Sequence, residues 1–549
     1  MKTRRMIQTA KLLIVIGAAI LASAQACVWA QGSSPCPRFT AGSTVTQPEN
    51  ITSQSGVLSA EFTYQTRVDQ YGNTLYCYTT ASGNESPTLH VNPGDTLQIN
   101  FTNGVPPSAS HVMPGMAMSS STATTCGSSA MTSSSTNIHY HGMNVPPDCH
   151  KDEVIFTLIN SGETFEYELK IPPDEPPGLY WYHPHVHGMS EAAVLGGASG
   201  ALIVEGIQNV NPAVSGLPAQ VLIIRDNPVP GDPTPGGDIP EFDVSLNYIP
   251  IPSPAYTPAI IPMQPSEKQL WRVLNASADT IVNLQLVYDG VAQPLGVVAL
   301  DGVPTGSQDG TGLGTTITET SILLAPASRA EFIVAGPSAT VTTATLSTLA
   351  VNTGPYGFYD PARPLASIRV SASAAVPPRL PLTKPGPPPA ERFAGLAHST
   401  PTATRNLYFS ENFSEPDNPQ YFITVAGQQP VVFSPTNPPS IVTTQGAVED
   451  WTIQNRSLEN HEFHIHQIHF LVLAENGVAV PSSEAQYLDT VQIPYWSGTG
   501  PYPSVTVRMD FRGPIVGNFV YHCHILAHED QGMMAIIQVN PASTASAVH

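Results

Sequence analysis

The chain has 549 residues, enough for two to four domains, and 41% of them are hydrophobic, so a sizeable core can be buried. Its formal net charge is −21, with 42 acidic against 21 basic residues, which excludes a nucleic-acid partner because phosphate contacts need basic surface. Charged residues make up only 11% while Pro (55) and Gly (42) are plentiful, a balance that favours short strands joined by turns over long charged helices.

Residues 1–30 read as a signal peptide. Lys2, Arg4, Arg5 and Lys11 form a positive start, Leu12 to Ala22 an apolar run, and small residues follow, with cleavage after Ala26 or Ala30. The apolar run is too short for a membrane span, and no other segment reads as one. The chain is therefore expected to be exported, periplasmic or extracellular, with no membrane span after signal removal. Cys27 has the poorly fitting Ala24 three places before it, which weakens a lipoprotein reading. An exported chain can form disulfides. Cys36, Cys77, Cys126 and Cys149 allow two bridges in three pairings, among which the sequence does not choose. Cys523 stands apart, among histidines, and is reserved for metal.

The run Leu97-Gln98-Ile99-Asn100-Phe101-Thr102-Asn103 alternates apolar with polar residues and ends in asparagine, as a half-buried strand before a turn should. Leu270–Asn275 and Asp450–Asn455 repeat the pattern, and the three asparagines lie 172 and 180 residues apart. Three related β-domains follow, over 40–207, 218–375 and 391–541. Segment 376–390, with seven prolines, reads as a stiff linker. Further strand-like runs are Thr164–Ile171, Ala201–Glu205, Val221–Arg225, Ser321–Leu324, Ala330–Ala335, Ser504–Phe511 and Met534–Val539. The predicted fold class is all-β, three β-sandwiches. A Ser/Thr-rich loop at 104–136 holds Met113, Met116, Met118 and Met131 beside His111; thioethers suit Cu(I), whereas the bland reading is a low-complexity insertion.

Twelve of the 17 histidines fall in four clusters. These are His139-Tyr140-His141, His183-Pro184-His185-Val186-His187, His461-Glu462-Phe463-His464-Ile465-His466 with His469 nearby, and His522-Cys523-His524 followed by His528 and Met533. On a strand, H-x-H presents both imidazoles on one face. His139, His141, His183, His185, His464, His466, His522 and His524 can thus converge on a metal cluster. Cys523 points the other way and joins His461 and His528 in a separate site, with Met533 as axial ligand, a set that describes blue copper. One segment then touches two metal sites. Structural zinc needs only four ligands and would leave most of these histidines unexplained.

The four motifs resemble those of the multicopper oxidases, over about residues 40–541. The resemblance implies three cupredoxin-like Greek-key domains and four copper ions, with O₂ as co-substrate. It assigns His461, Cys523, His528 and Met533 to the type 1 copper and His139 and His464 to the type 2 copper. His141, His183 and His524 match one type 3 copper; His185, His466 and His522 match the other. One imidazole edge, His461 or His528, is expected to face the donor. The second domain, lacking such a motif, is expected to space the other two. Glu529 and Asp152 are candidate proton-relay carboxylates. His187 and His469 are candidates for hydrogen bonds to ligands.

The expected activity is laccase-like, coupling one-electron oxidation of phenolic or aromatic donors to reduction of O₂ to water. The alternative is oxidation of Cu(I) or another metal ion in copper tolerance. A non-catalytic copper-binding protein need not keep every cluster histidine, and this chain keeps them all.

Overall fold

The computed structural model describes residues 35–107, 126–128, 130–229, 239–386, 389–415, 419–482 and 484–542. The expected signal peptide, Cys27, His111, Met113, Met116, Met118 and His549 lie outside the described residues.

The three repeat copies are the strands Thr96–Asn103, Lys268–Asn275 and Val448–Asn455. Each pairs in parallel with an earlier strand, respectively Val57–Val68, Ala219–Pro228 and Ala403–Asn412. Each pairs antiparallel with a later one, respectively Thr164–Lys170, Arg329–Ala335 and Ser504–Asp510. The closing asparagine is fully buried in every copy. Its amide donates to two backbone carbonyls: Ser134 and Ile159 for Asn103, Thr280 and Leu324 for Asn275, Glu459 and Ile493 for Asn455. Its side-chain oxygen accepts the N–H two residues on. An apolar residue of similar size could do none of this, and a buried amide left unpaired is costly. The repeat is therefore structural.

Around each copy two sheets face one another: four and five strands in the first sandwich, eight and six in the second, seven and five in the third. Strand alternation builds the cores. Thr164–Lys170, for example, is exposed and buried by turns at every residue. Phe62, Ile99, Phe101, Tyr182 and Leu202 close the first core, Trp271, Leu284 and Phe332 the second, Trp451, Phe463 and Tyr521 the third. Each predicted strand-like run overlaps a strand.

The disulfides are Cys36–Cys77 and Cys126–Cys149. Part of the proline-rich segment lies along the second sandwich: Ala219 N–H donates to Pro378 O and Leu380 N–H to Leu217 O. Among the described residues no helix is long and apolar enough to cross a membrane.

Candidate metal centre

Strand pairing assembles the histidines. In the first sandwich His139 sits opposite His183, and in the third His464 sits opposite His522. Pro184 has no N–H to continue a ladder, and the strand Leu179–His183 stops before it. His185 thus projects from a loop rather than a strand, and His466 and His524 likewise follow strand ends. The two sandwiches meet through rings. His139 stacks on His466 with centroids 3.8 Å apart, and His141 on His464 at 3.9 Å. His185 lies 5.0 Å from His522 and His183 5.5 Å from His524. All eight imidazoles are buried.

Their hydrogen bonds select which nitrogen faces inward. Nδ1 of His139 is held by Asp152, Nδ1 of His183 by Pro184 O, Nδ1 of His464 by Asp489 O and Nδ1 of His522 by Cys523 O. Nε2 of His139, His183 and His464 has no protein partner. His141 is reversed: its Nε2 meets Asp489 at 3.1 Å and its Nδ1 is the unpartnered atom. Nε2 of His185 and of His466 each lie 3.2 Å from Nε2 of His522. Buried nitrogens without partners are expensive unless a cation takes them. Burial depresses every one of these imidazoles, His183 to about 3 and His522 to about 4. The neutral, metal-ligating form therefore prevails at neutral pH.

Cys523 points away from that nest. Its Sγ lies 3.6 Å from His461 Nδ1 and 3.7 Å from His528 Nδ1, with 3.1 Å between the two nitrogens. Cys523 is the free cysteine among the described residues, and burial pushes its thiol up in the absence of a cation. Met533 is fully buried; it accepts the Cys523 N–H and donates its own to His528 O. The short helix Leu526–Asp530, which carries His528, is clipped from two sides. Asp530 accepts the N–H groups of Gly188, Ser190 and Glu191, and Asp279 accepts that of Ala527.

Both relay candidates are buried. Asp152 reaches His139 Nδ1 at 3.1 Å with either oxygen and accepts from Tyr140 N–H and Gln467 Nε2. Glu529 lies 3.9 Å from His185 Nδ1, accepts from Ser190 Oγ, and has one oxygen unpartnered. Burial raises both carboxyls well above the usual range, and Asp530 adds to the effect at Glu529.

Five site residues carry no sequence signal. Asp489 touches His141 and His464 and is gripped by Arg329 of the second sandwich at 2.8 and 2.5 Å. Burial opposes its charge, but the charge and hydrogen bonds of Arg329, joined by His469 and His464, together hold the carboxyl below its usual range. Gly142 makes room: at φ +82° a Cβ there would stand 2.5 Å from Arg329 Nη2 and 2.6 Å from Asp489 Oδ2. On the Cys523 side Glu411 holds His461 Nε2 at 2.8 Å and Glu459 lies 3.4 Å from His528 Nε2. Burial, then Glu459, pushes Glu411 up to about 9. Contrary to the expected open edge, His461 is 0% and His528 2% exposed.

His469 meets Asp301 O at 2.9 Å and Asp489 at 3.5 Å, whereas His187 packs against Phe433. His90 pairs with Glu205, and His150 with Glu166 O.

A buried thiol with two imidazoles, joined by one strand to eight further imidazoles, defines a copper-dependent oxidoreductase built on cupredoxin-like sandwiches. Two family models, each described as multicopper oxidase, match residues 129–209 and 403–543. The chain is 25% identical to a laccase of Bacillus subtilis over 73% of this chain and 78% of that one. It is 23% identical to the multicopper oxidase LPR1 homolog 1 of Oryza sativa subsp. japonica, over 85% and 84%. Among solved structures, a variant of the McoA multicopper oxidase of Aquifex aeolicus superposes with TM-score 0.65 at 20% identity, covering 91% of this chain and 99% of that one. A Campylobacter jejuni multicopper oxidase, described as a metallo-oxidase, gives 0.64 at 22%, covering 92% and 96%. Residues 129–209 and 403–543 thus form multicopper oxidase domains, and the chain is an oxidoreductase with O₂ as acceptor.

Proposed function

We propose that the protein is a laccase-like oxidase that takes single electrons from phenolic and related aromatic donors and reduces O₂ to water. The observation that carries this reading is the shared strand end His522-Cys523-His524, which places the Cys523 group and the imidazole nest on adjacent residues. In this reading His461, Cys523, His528 and Met533 hold type 1 copper, and His139 and His464 hold type 2. His141, His183 and His524 hold one type 3 copper; His185, His466 and His522 hold the other. Four bound copper ions would supply the one-electron redox steps and the site of O₂ reduction. The chain supplies the rest. Cys523 offers a covalent route from one group to the other. Asp152 orients His139, and with Glu529 it holds protons beside the nest, as a reaction that consumes them requires. Residues 1–30 direct export in the same reading. The test is oxygen consumption with a panel of donors, with and without added Cu(II). A chain that consumes no O₂ with any phenol after copper loading refutes it.

The runner-up, oxidation of a metal ion, draws on Glu411 and Glu459 beside the two imidazoles of the Cys523 group. Carboxylates suit hard or borderline cations better than Cu(I), so the Cu(I) version rests on the methionines of loop 104–136. Turnover of Cu(I) against a dimethoxyphenol, before and after deleting that loop, separates the two readings.

A further inference from the structure

Both imidazoles of the Cys523 group are buried, with only 2% of His528 exposed, and acidic side chains cover both outer nitrogens. A donor must therefore meet another side chain first. The ring of Tyr421 lies flat on His528, with 4.5 Å between centroids and 14° between planes. Tyr421 meets Phe413 edge-on at 5.9 Å, and Phe413 meets Tyr356 at 5.6 Å. Exposure climbs along this series, from 8% at Tyr421 to 40% at Phe413 and 61% at Tyr356. Tyr356 belongs to the second sandwich, and its N–H donates to Leu458 O beside the ligand-bearing strand of the third. Phe409, the aromatic against His461, is itself fully buried and leads inward.

We propose that Tyr421 is the electron-entry contact: an aromatic donor settles against Phe413 and Tyr356, and its electron crosses the Tyr421 ring to His528. The proposal rests on the aromatic-donor reading. Exposed aromatic rings receive a flat donor in offset or edge-on geometry, and the stacked Tyr421–His528 pair continues that contact to a ligand atom. The phenol loses one electron and its hydroxyl proton goes to water; a Cu(II) ion held by the Cys523 group would accept the electron and become Cu(I). Tyr421 is unchanged before and after. It is a positioning residue, since it acts through His528.

The test uses the copper-loaded protein without O₂, following the bleaching of the blue band by 2,6-dimethoxyphenol and by ferrocyanide. Band position and midpoint potential are recorded for each variant. Tyr421→Leu is expected to slow bleaching about tenfold, an added barrier of about 1.4 kcal/mol, with band and potential unchanged. Tyr421→Phe keeps the stacked ring and should restore the wild-type rate. Wild-type bleaching by Tyr421→Leu with an unchanged band overturns the proposal. If Tyr421→Leu disturbs the band, Phe413→Ala takes its place: slowed bleaching supports the route, and the wild-type rate overturns it. Bleaching of the wild type by ferrocyanide but not by the phenol defeats the aromatic-donor reading alone, while the ferrocyanide rates still decide the role of Tyr421.

Discussion

Arg329 and Asp489, 160 residues apart, form a fully buried two-point ion pair that joins all three sandwiches. Arg329 comes from the second, Asp489 from the third, and Asp489 Oδ1 meets His141 of the first at 3.1 Å. The second sandwich is thus more than a spacer: its arginine fixes the residue whose carboxylate orients His141 and whose backbone carbonyl orients His464.

Breaking this pair should hurt twice. Removing one partner leaves an uncompensated buried charge, which costs about 3–5 kcal/mol. Arg329→Leu should lower the denaturation midpoint of the copper-free protein accordingly. Asp489→Asn should also weaken copper binding about 10–100-fold, as loss of a partner behind a metal ligand does. Chemical denaturation and copper titration measure the two effects. Gly142→Ala, which pushes a Cβ into the same pair, should share the direction of both.

Cys523→Ser should abolish the blue absorption and leave copper in the imidazole nest, because none of the eight imidazoles depends on the thiol. Absorbance near the thiolate band and copper content per chain check this. Loss of all copper would mean that the two groups are not separate.

Glu529→Gln should slow O₂ reduction while leaving the blue colour, since the Glu529 carboxyl lies 3.9 Å from His185 Nδ1 in the imidazole nest. General acid assistance contributes about 10²–10⁴-fold, which sets the scale of the loss. Asp152→Asn should lower copper affinity as well as turnover, because Asp152 also fixes the tautomer of His139. Reoxidation of the reduced enzyme by O₂ separates the two carboxylates.

Acid should destabilise the copper-free protein. Burial holds His183 at about 3 and His522 at about 4, against 6.5 in the unfolded chain. Between these values the unfolded chain binds protons that the folded chain does not, so stability is full above 6.5 and falls as pH drops toward 3. Buried carboxyls act in the other sense. Burial raises Asp360 to about 8 from 3.8, so its contribution is full below 3.8 and lost as pH rises through 8. Melting temperature against pH should therefore fall on the acid side through the histidines, and Asp360→Asn should flatten the alkaline side.

The architecture was legible because its signals are local. Alternation at Thr164–Ile171 reports a half-buried strand, and Asn103, Asn275 and Asn455 repeat because each closes the same turn with the same three hydrogen bonds. The H-x-H spacing in His139–His141 and His522–His524 reports a shared face for the same local reason. Asp152 and Glu529 were named, but their burial was not visible, since a carboxylate looks the same in sequence whether it faces water or an imidazole.

From the sequence alone came the kinds of ligand, their clustering, and the placing of Cys523 between two histidines that face the other way. Each depends only on residue type and on backbone period. The tertiary structure decided what distance along the chain conceals: the pairing of Cys36 with Cys77 and of Cys126 with Cys149, the grip of Arg329 on Asp489, and the covering of His461 and His528 by Glu411, Glu459 and Tyr421. No spacing rule reaches these contacts, because each forms only where separate strands and loops pack together and exclude water.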